Sequence, residues 1–190
     1  ATTGTGRGVS VQGSGITKVS GATTTGNVSI TGSASSTAAA TGAAVEATVT
    51  TDGNITIDGT VGAAAGTGVS ITSAVTSAGS AKSIQVTANQ GISHTGSLSD
   101  PGNTGTGSTI QLTSTLSGLT GTGTIGDTTH KNASVTVTQA GTSTFSGATN
   151  AANFTKAGAG ALTLNSWTHT TAAATNISNA YTVSSGSLTL

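Results

Sequence analysis

Cysteine is absent from the chain, so neither a disulfide framework nor thiol chemistry is open to it, and stability has to come from packing and hydrogen-bonded ladders. Methionine is absent as well, even at position 1, which reads as a processed product or an excised segment. Charge is almost missing: 5% of residues are Asp, Glu, Lys or Arg, against roughly 25% in ordinary domains. The five basic residues cancel the five acidic ones, so no long-range field draws in a polyanion, and nucleic acid is not expected as a partner. No apolar run approaches the roughly 20 residues of a membrane helix, and no charged segment followed by an apolar one opens the chain. Membrane insertion is therefore not expected. Aromatic residues are scarce, at 2%, and there is one proline.

Gly, Ala, Ser and Thr fill the space these absences leave. Such a composition is common in disordered segments, but disorder normally goes with high charge and few β-branched residues. Here short Val, Ile and Leu clusters recur along the whole length. Two apolar residues flanking one polar residue occur at Val28/Ile30, Ile55/Ile57, Ile84/Val86, Ile110/Leu112, Val135/Val137, Leu162/Leu164 and Leu188/Leu190. Their spacings along the chain are 27, 29, 26, 25, 27 and 26. Each pair has the period-2 alternation of a strand with one buried face. Val9/Val11 precedes by 19 and suits an irregular first coil over 1–27, with regular coils over 28–190.

A fixed period of this size is the mark of a solenoid, in which each repeat stacks on the last. A β-sandwich uses short strands too, yet does not by itself explain the period. Helix competes poorly, since Gly and β-branched residues disfavour it and no apolar i, i+3, i+4, i+7 pattern persists. The Ala-rich stretches 38–44 and 171–174 read as tight loops. Weaker apolar positions (Val45, Val69, Leu98, Ile125 and Ile177, then Val49, Val75, Phe154 and Tyr181) suggest two or three strands per coil. Gly-rich corners such as Thr51-Asp52-Gly53-Asn54 and Asp100-Pro101-Gly102-Asn103 supply the bends. The expectation is an all-β parallel β-helix forming one segment over 1–190, with about 7 coils of roughly 26 residues and a rod about 35 to 40 Å long at a coil spacing of roughly 4.8 Å. Its outward columns would read Ser29, Thr56, Gln85, Gln111, Thr136, Thr163, Thr189 and Thr31, Asp58, Thr87, Thr113, Thr138, Asn165.

Near the C-terminal end, Phe154-Thr-Lys-Ala-Gly-Ala-Gly-Ala-Leu-Thr-Leu-Asn165 and Tyr181-Thr-Val-Ser-Ser-Gly-Ser-Leu-Thr-Leu190 resemble the autotransporter-associated β-strand repeat. Gly53-Asn-Ile-Thr-Ile-Asp-Gly59 and Ser83-Ile-Gln-Val-Thr-Ala88 are similar to filamentous-haemagglutinin-like passengers. Together the resemblances span about two thirds of the chain. The stretch between Asn165 and Tyr181 is longer than the family repeat, and the chain carries no β-barrel translocator. What the resemblance implies is a right-handed helix, export across an outer membrane and a place at the bacterial cell surface. The function implied is the structural shaft, or filament-forming segment, of an adhesin, with host or matrix glycans or proteins as partners.

Chemistry has little to work with. An active site needs converging titratable groups, whereas Asp52, Asp58, Asp100 and Asp127 each lie beside Gly or Pro in turn-like settings, and Glu46 stands apart. No catalytic residue, cofactor or enzymatic activity is expected. His94, His130 and His169 fall at different offsets in their coils, which argues against a shared metal and for isolated surface histidines. The Ca²⁺-binding nonapeptide pattern is missing. Trp167, His169 and Tyr181 are candidates for partner contact through exposed rings. Arg7, Lys18, Lys82, Lys131 and Lys156 are scattered and read as solvated. Leu188, Thr189 and Leu190 form half of a repeat signature, and further coils or a neighbouring copy are expected to stack there. Two other readings stay open. One is a glycan-binding or glycan-active β-helix, which needs clustered carboxylates. The other is an ice-binding solenoid, which needs Thr-x-Thr in every coil, a condition that Thr136-x-Thr138 alone meets.

Overall fold

The structure is a computed structural model describing residues 7–11, 16–18, 26–34, 40–62, 64–99, 109–126, 132–164, 176–183 and 188–189. Among these residues the chain forms nineteen short strands and no helix. The strands assemble into three all-parallel sheets, the faces of a β-solenoid. Face A stacks eight strands: Arg7–Val11, Thr41–Val45, Thr67–Ile71, Gly91–His94, Leu119–Gly121, Ser143–Phe145, Leu162–Leu164 and Leu188–Thr189. Face B stacks four: Ile16–Lys18, Val49–Thr51, Val75–Ser77 and Leu98–Ser99. Face C stacks seven: Val28–Ala34, Ile55–Val61, Ser83–Ala88, Thr109–Ser114, Asn132–Gln139, Asn150–Ala157 and Asn176–Val183. The chain visits them in the order A, B, C. Ala43 and Ala44, expected in a loop, lie within a face A strand.

Face C bears out the alternation read from sequence. Val28 pairs with Ile55, Ile55 with Ile84, Ile84 with Ile110, and Ile110 with Val135. The second members, Ile30, Ile57, Val86, Leu112 and Val137, stack in the same register. All ten are buried, while the residues between them stand outward or half-buried. Period 2 within the strand and one strand per coil are enough to produce a continuous dry column.

The last two doublets fall elsewhere. Above Val135 and Val137 the register brings Phe154 and Lys156, followed by Tyr181 and Val183. Leu162/Leu164 and Leu188 lie on face A, over Ser143/Phe145 and Leu162 respectively. A short coil is responsible. Four residues, 146–149, carry the chain from Phe145 back to face C at Asn150, so by Leu162 it has already gone round to face A. Val9 and Val11 likewise belong to face A, paired with Ala43 and Val45.

The third side also ends early. Past Leu98–Ser99, face B persists as isolated bridges, Leu98 to Ile125 and Ile125 to Thr149. Among the described residues, full three-sided coils therefore number four, fewer than the seven expected. The weaker apolar positions divide accordingly: Val45 and Val69 serve face A, Val49, Val75 and Leu98 face B, and Phe154, Ile177 and Tyr181 face C.

Polar side chains tie coil to coil at the corners. Asn27 Oδ1 accepts the amide of Asn54 at 2.9 Å, and Asn54 Oδ1 accepts that of Ser83 at 3.0 Å. Asp52, read from sequence as a turn residue, bonds across coils: its Oδ1 accepts the Gly26 amide at 3.0 Å. At the end of face B, Thr51 and Ser77 point inward and donate to the carbonyls of Gly26 and Gly53. Each such bond contributes about 1 kcal/mol net, and far more is lost if the buried group is left unpaired.

Candidate functional site

The surface of this molecule is its outward columns. On face C one column reads Ser29, Thr56, Gln85, Gln111, Thr136 and Thr155, and its neighbour Thr31, Asp58, Thr87, Thr113 and Thr138. Gln85 Nε2 donates to Gln111 Oε1 at 3.3 Å, a step of an amide ladder along the axis. The sequence-derived columns hold as far as Thr136 and Thr138. Beyond them Thr155 and Ala157 take the places expected for Thr163 and Asn165. Thr163 and Thr189 instead continue a face A column through Ser70, Ser93, Thr120 and Thr144. Every side chain in these columns is neutral apart from Asp58.

Two grooves lie among the described residues. A groove of about 290 Å³ runs along face A between Gly66, Thr67, Ser93, Thr120 and Thr142. Another of about 250 Å³ lies beside Thr113, Thr138, Gln139 and Gly158. Neither contains a titratable side chain. Among the described residues no three His, Cys, Asp or Glu side chains gather as a metal site would require. Glu46 accepts a hydrogen bond from the Ser10 hydroxyl at 3.1 Å. No helix is long and apolar enough to cross a membrane among the described residues.

Two ionisable groups are placed where sequence reasoning did not put them. His94 was expected on the surface, but it faces inward, 1% exposed. It stands over Ile71, with Gly121 and then Phe145 above it in the same face A column. Its ring meets the Phe145 ring edge-on, at 5.4 Å between centroids and 65° between planes. Gly121 makes this possible, since a Cβ there would collide with both rings. Nδ1 lies 3.4 Å from the Gly96 carbonyl and so carries the proton, while Nε2 has no partner among the described residues. Burial lowers the His94 pKa below its ordinary value, and the Gly96 carbonyl partly opposes this. The signal was present in Ile92-Ser93-His94, where strict alternation puts His94 on the side of Ile92.

Lys156, read as solvated, occupies the inward position above Val137 and is fully buried. Its ammonium donates to the Gly158 carbonyl at 2.6 Å, and burial lowers its pKa. A buried cation is commonly improved upon by an apolar side chain of similar volume. Lys156→Met is therefore expected to raise stability by about 1 kcal/mol, read as a higher urea midpoint at unchanged slope. A lower midpoint would show that the contacts of the ammonium outweigh its desolvation.

Trp167, His169, His130, Lys131, Asp100, Asp127 and Leu190 lie outside the described residues. Tyr181 lies in a face C strand, paired with Phe154, and Leu188 and Thr189 form the outermost described strand of face A. Phe154 and Leu162 thus sit one coil from Tyr181 and Leu188, so the two quoted copies of the C-terminal motif stack in register.

Fold and surface together define a parallel β-solenoid with a largely aliphatic core and a sparsely charged, hydroxyl-rich exterior. Neither a protein-family model, nor a curated protein, nor a solved structure matches this chain.

Proposed function

We propose that this chain is a structural shaft or filament-forming segment of an extracellular bacterial surface fibre, with mechanical continuity as its function. The observation that carries the reading is the inward column on face C, unbroken from Val28 through Val135 to Phe154 and jacketed by polar side chains of which Asp58 alone is charged. Such a core makes each coil depend on its neighbours, so load on one is shared along the axis. The strand edges of a solenoid pair with whatever extended backbone is laid against them. Its axial partners are then further coils of the same protein or a neighbouring copy, with Leu188 and Thr189 in the contact. Host or matrix glycans and proteins are the partners of the fibre that the shaft supports.

Negative-stain microscopy over a concentration series tests this directly. Rods that lengthen along one axis as concentration rises are the expected result. Short, monodisperse particles at high concentration would count against self-stacking. Turnover or saturable binding on a polysaccharide panel would replace the structural reading with a glycan-directed one, and thermal hysteresis would replace it with ice binding.

A further inference from the structure

Five Asn-x-Ser/Thr triplets occur in the chain, at Asn27, Asn54, Asn132, Asn153 and Asn176, none with proline in the middle. In a chain so rich in Ser and Thr the triplet alone is a weak signal. The structure adds a criterion of its own. In an extended strand residues i and i+2 share a face, so Asn54 and Thr56 both project from face C while Ile55 between them is fully buried. Asn54 is exposed. Its Oδ1 is held by the amide and hydroxyl of Ser83, at 3.0 and 3.3 Å, and this fixes the carboxamide plane. Its Nδ2 donates to no protein atom among the described residues.

Two described asparagines outside such triplets are used differently. Asn89 closes a two-bond bridge to Val61, with Nδ2 donating to the carbonyl at 2.8 Å and Oδ1 accepting the amide at 2.9 Å. Asn150 is buried and its Nδ2 donates to the Gly126 carbonyl at 3.4 Å. In both, the amide nitrogen is committed to the fold. At Asn54 the fold engages the oxygen and leaves the nitrogen facing solvent, with the Thr56 hydroxyl on the same side.

We infer that Asn54 is an N-glycosylation site, with Thr56 as the hydroxyl of its recognition triplet. In the modification, Nδ2 bonds to the anomeric carbon of a sugar carried on a diphosphate. The bond from that carbon to the diphosphate oxygen breaks, the diphosphate departs with the bonding pair, and the amide proton passes to a base of the transferring enzyme. The sugar adds bulk and hydration to an exterior that carries almost no charge. Oδ1 stays an acceptor in the product, so the bonds from Ser83 survive. The inference does not depend on the shaft reading, since it needs only the exterior of face C and contact with a glycosylating enzyme.

The test is site mapping of the chain isolated from the cells that produce it, by fragmentation mass spectrometry under conditions that keep the sugar on its asparagine. The expected result is a glycan mass on the Asn54 peptide and none on the Asn89 peptide. Thr56→Ala leaves every hydrogen bond of Asn54 in place and is expected to reduce the modified fraction to background, whereas Thr56→Ser retains it. Circular dichroism matching the parent verifies that the alanine variant is folded. An unmodified Asn54, or a modification that persists in Thr56→Ala, overturns the assignment.

Discussion

Leu112→Asp is expected to unfold the solenoid at neutral pH, while Gln111→Asp, one residue away, leaves it folded. Leu112 is fully buried between Val86 and Val137 in the face C column. Aspartate there removes an isobutyl group from a close-packed stack and places a carboxylate among aliphatic side chains with no cation to meet it. The penalty is on the order of 5 kcal/mol, comparable to the entire stability of many domains. Gln111 is exposed, and its contact with Gln85 is a surface hydrogen bond at 3.3 Å. Its replacement shifts stability by about 0.5 kcal/mol or less. Far-UV circular dichroism and urea denaturation of the two variants distinguish them. Equal behaviour would refute the inward and outward alternation on which the fold rests.

Acidification should loosen the middle of the rod through His94. The unfolded chain takes up a proton near the ordinary value of 6.5, whereas the folded chain resists it to lower pH because the ring is buried. Between those two values the unfolded state binds more protons, so stability falls as pH falls and levels off below the folded pKa. One group contributes a slope of at most about 1.4 kcal/mol per pH unit. Apart from the Gly96 carbonyl, the described surroundings offer no compensation. The neighbours in its column are Ile71, Gly121 and Phe145, and across the core face C presents Val86 and Leu112 at the matching coils. Among the described residues the other buried ionisable side chain is Lys156, itself cationic and placed over Val137. His94→Leu is expected to remove this part of the pH dependence, measured as urea midpoints from about pH 7 down to about pH 5. An unchanged slope in the variant would assign the effect to other histidines.

The two expectations differ in how far sequence alone could reach them. Leu112 was legible because alternation and a steady recurrence of the doublets place Val28 to Val137 in one column. His94 was legible only in part. Its offset from the face C doublet carried no information, since it belongs to face A, and its ring partner Phe145 arrives two coils later. The same gap explains Lys156. A lysine in a polar stretch reads as solvated until the register puts it over Val137.

By itself the sequence determined the class of architecture: parallel strands, one buried residue in two and an exterior with little charge. Those properties are local, because period 2 and Gly-rich corners act within a few residues. Only the tertiary structure decided which strand lies over which. Shortening one coil leaves every local pattern intact while moving Leu162 and Leu164 from face C to face A. That phase, together with the reduction of face B to isolated bridges beyond Ser99 among the described residues, is set by how successive coils close on one another, and no local pattern in the chain records it.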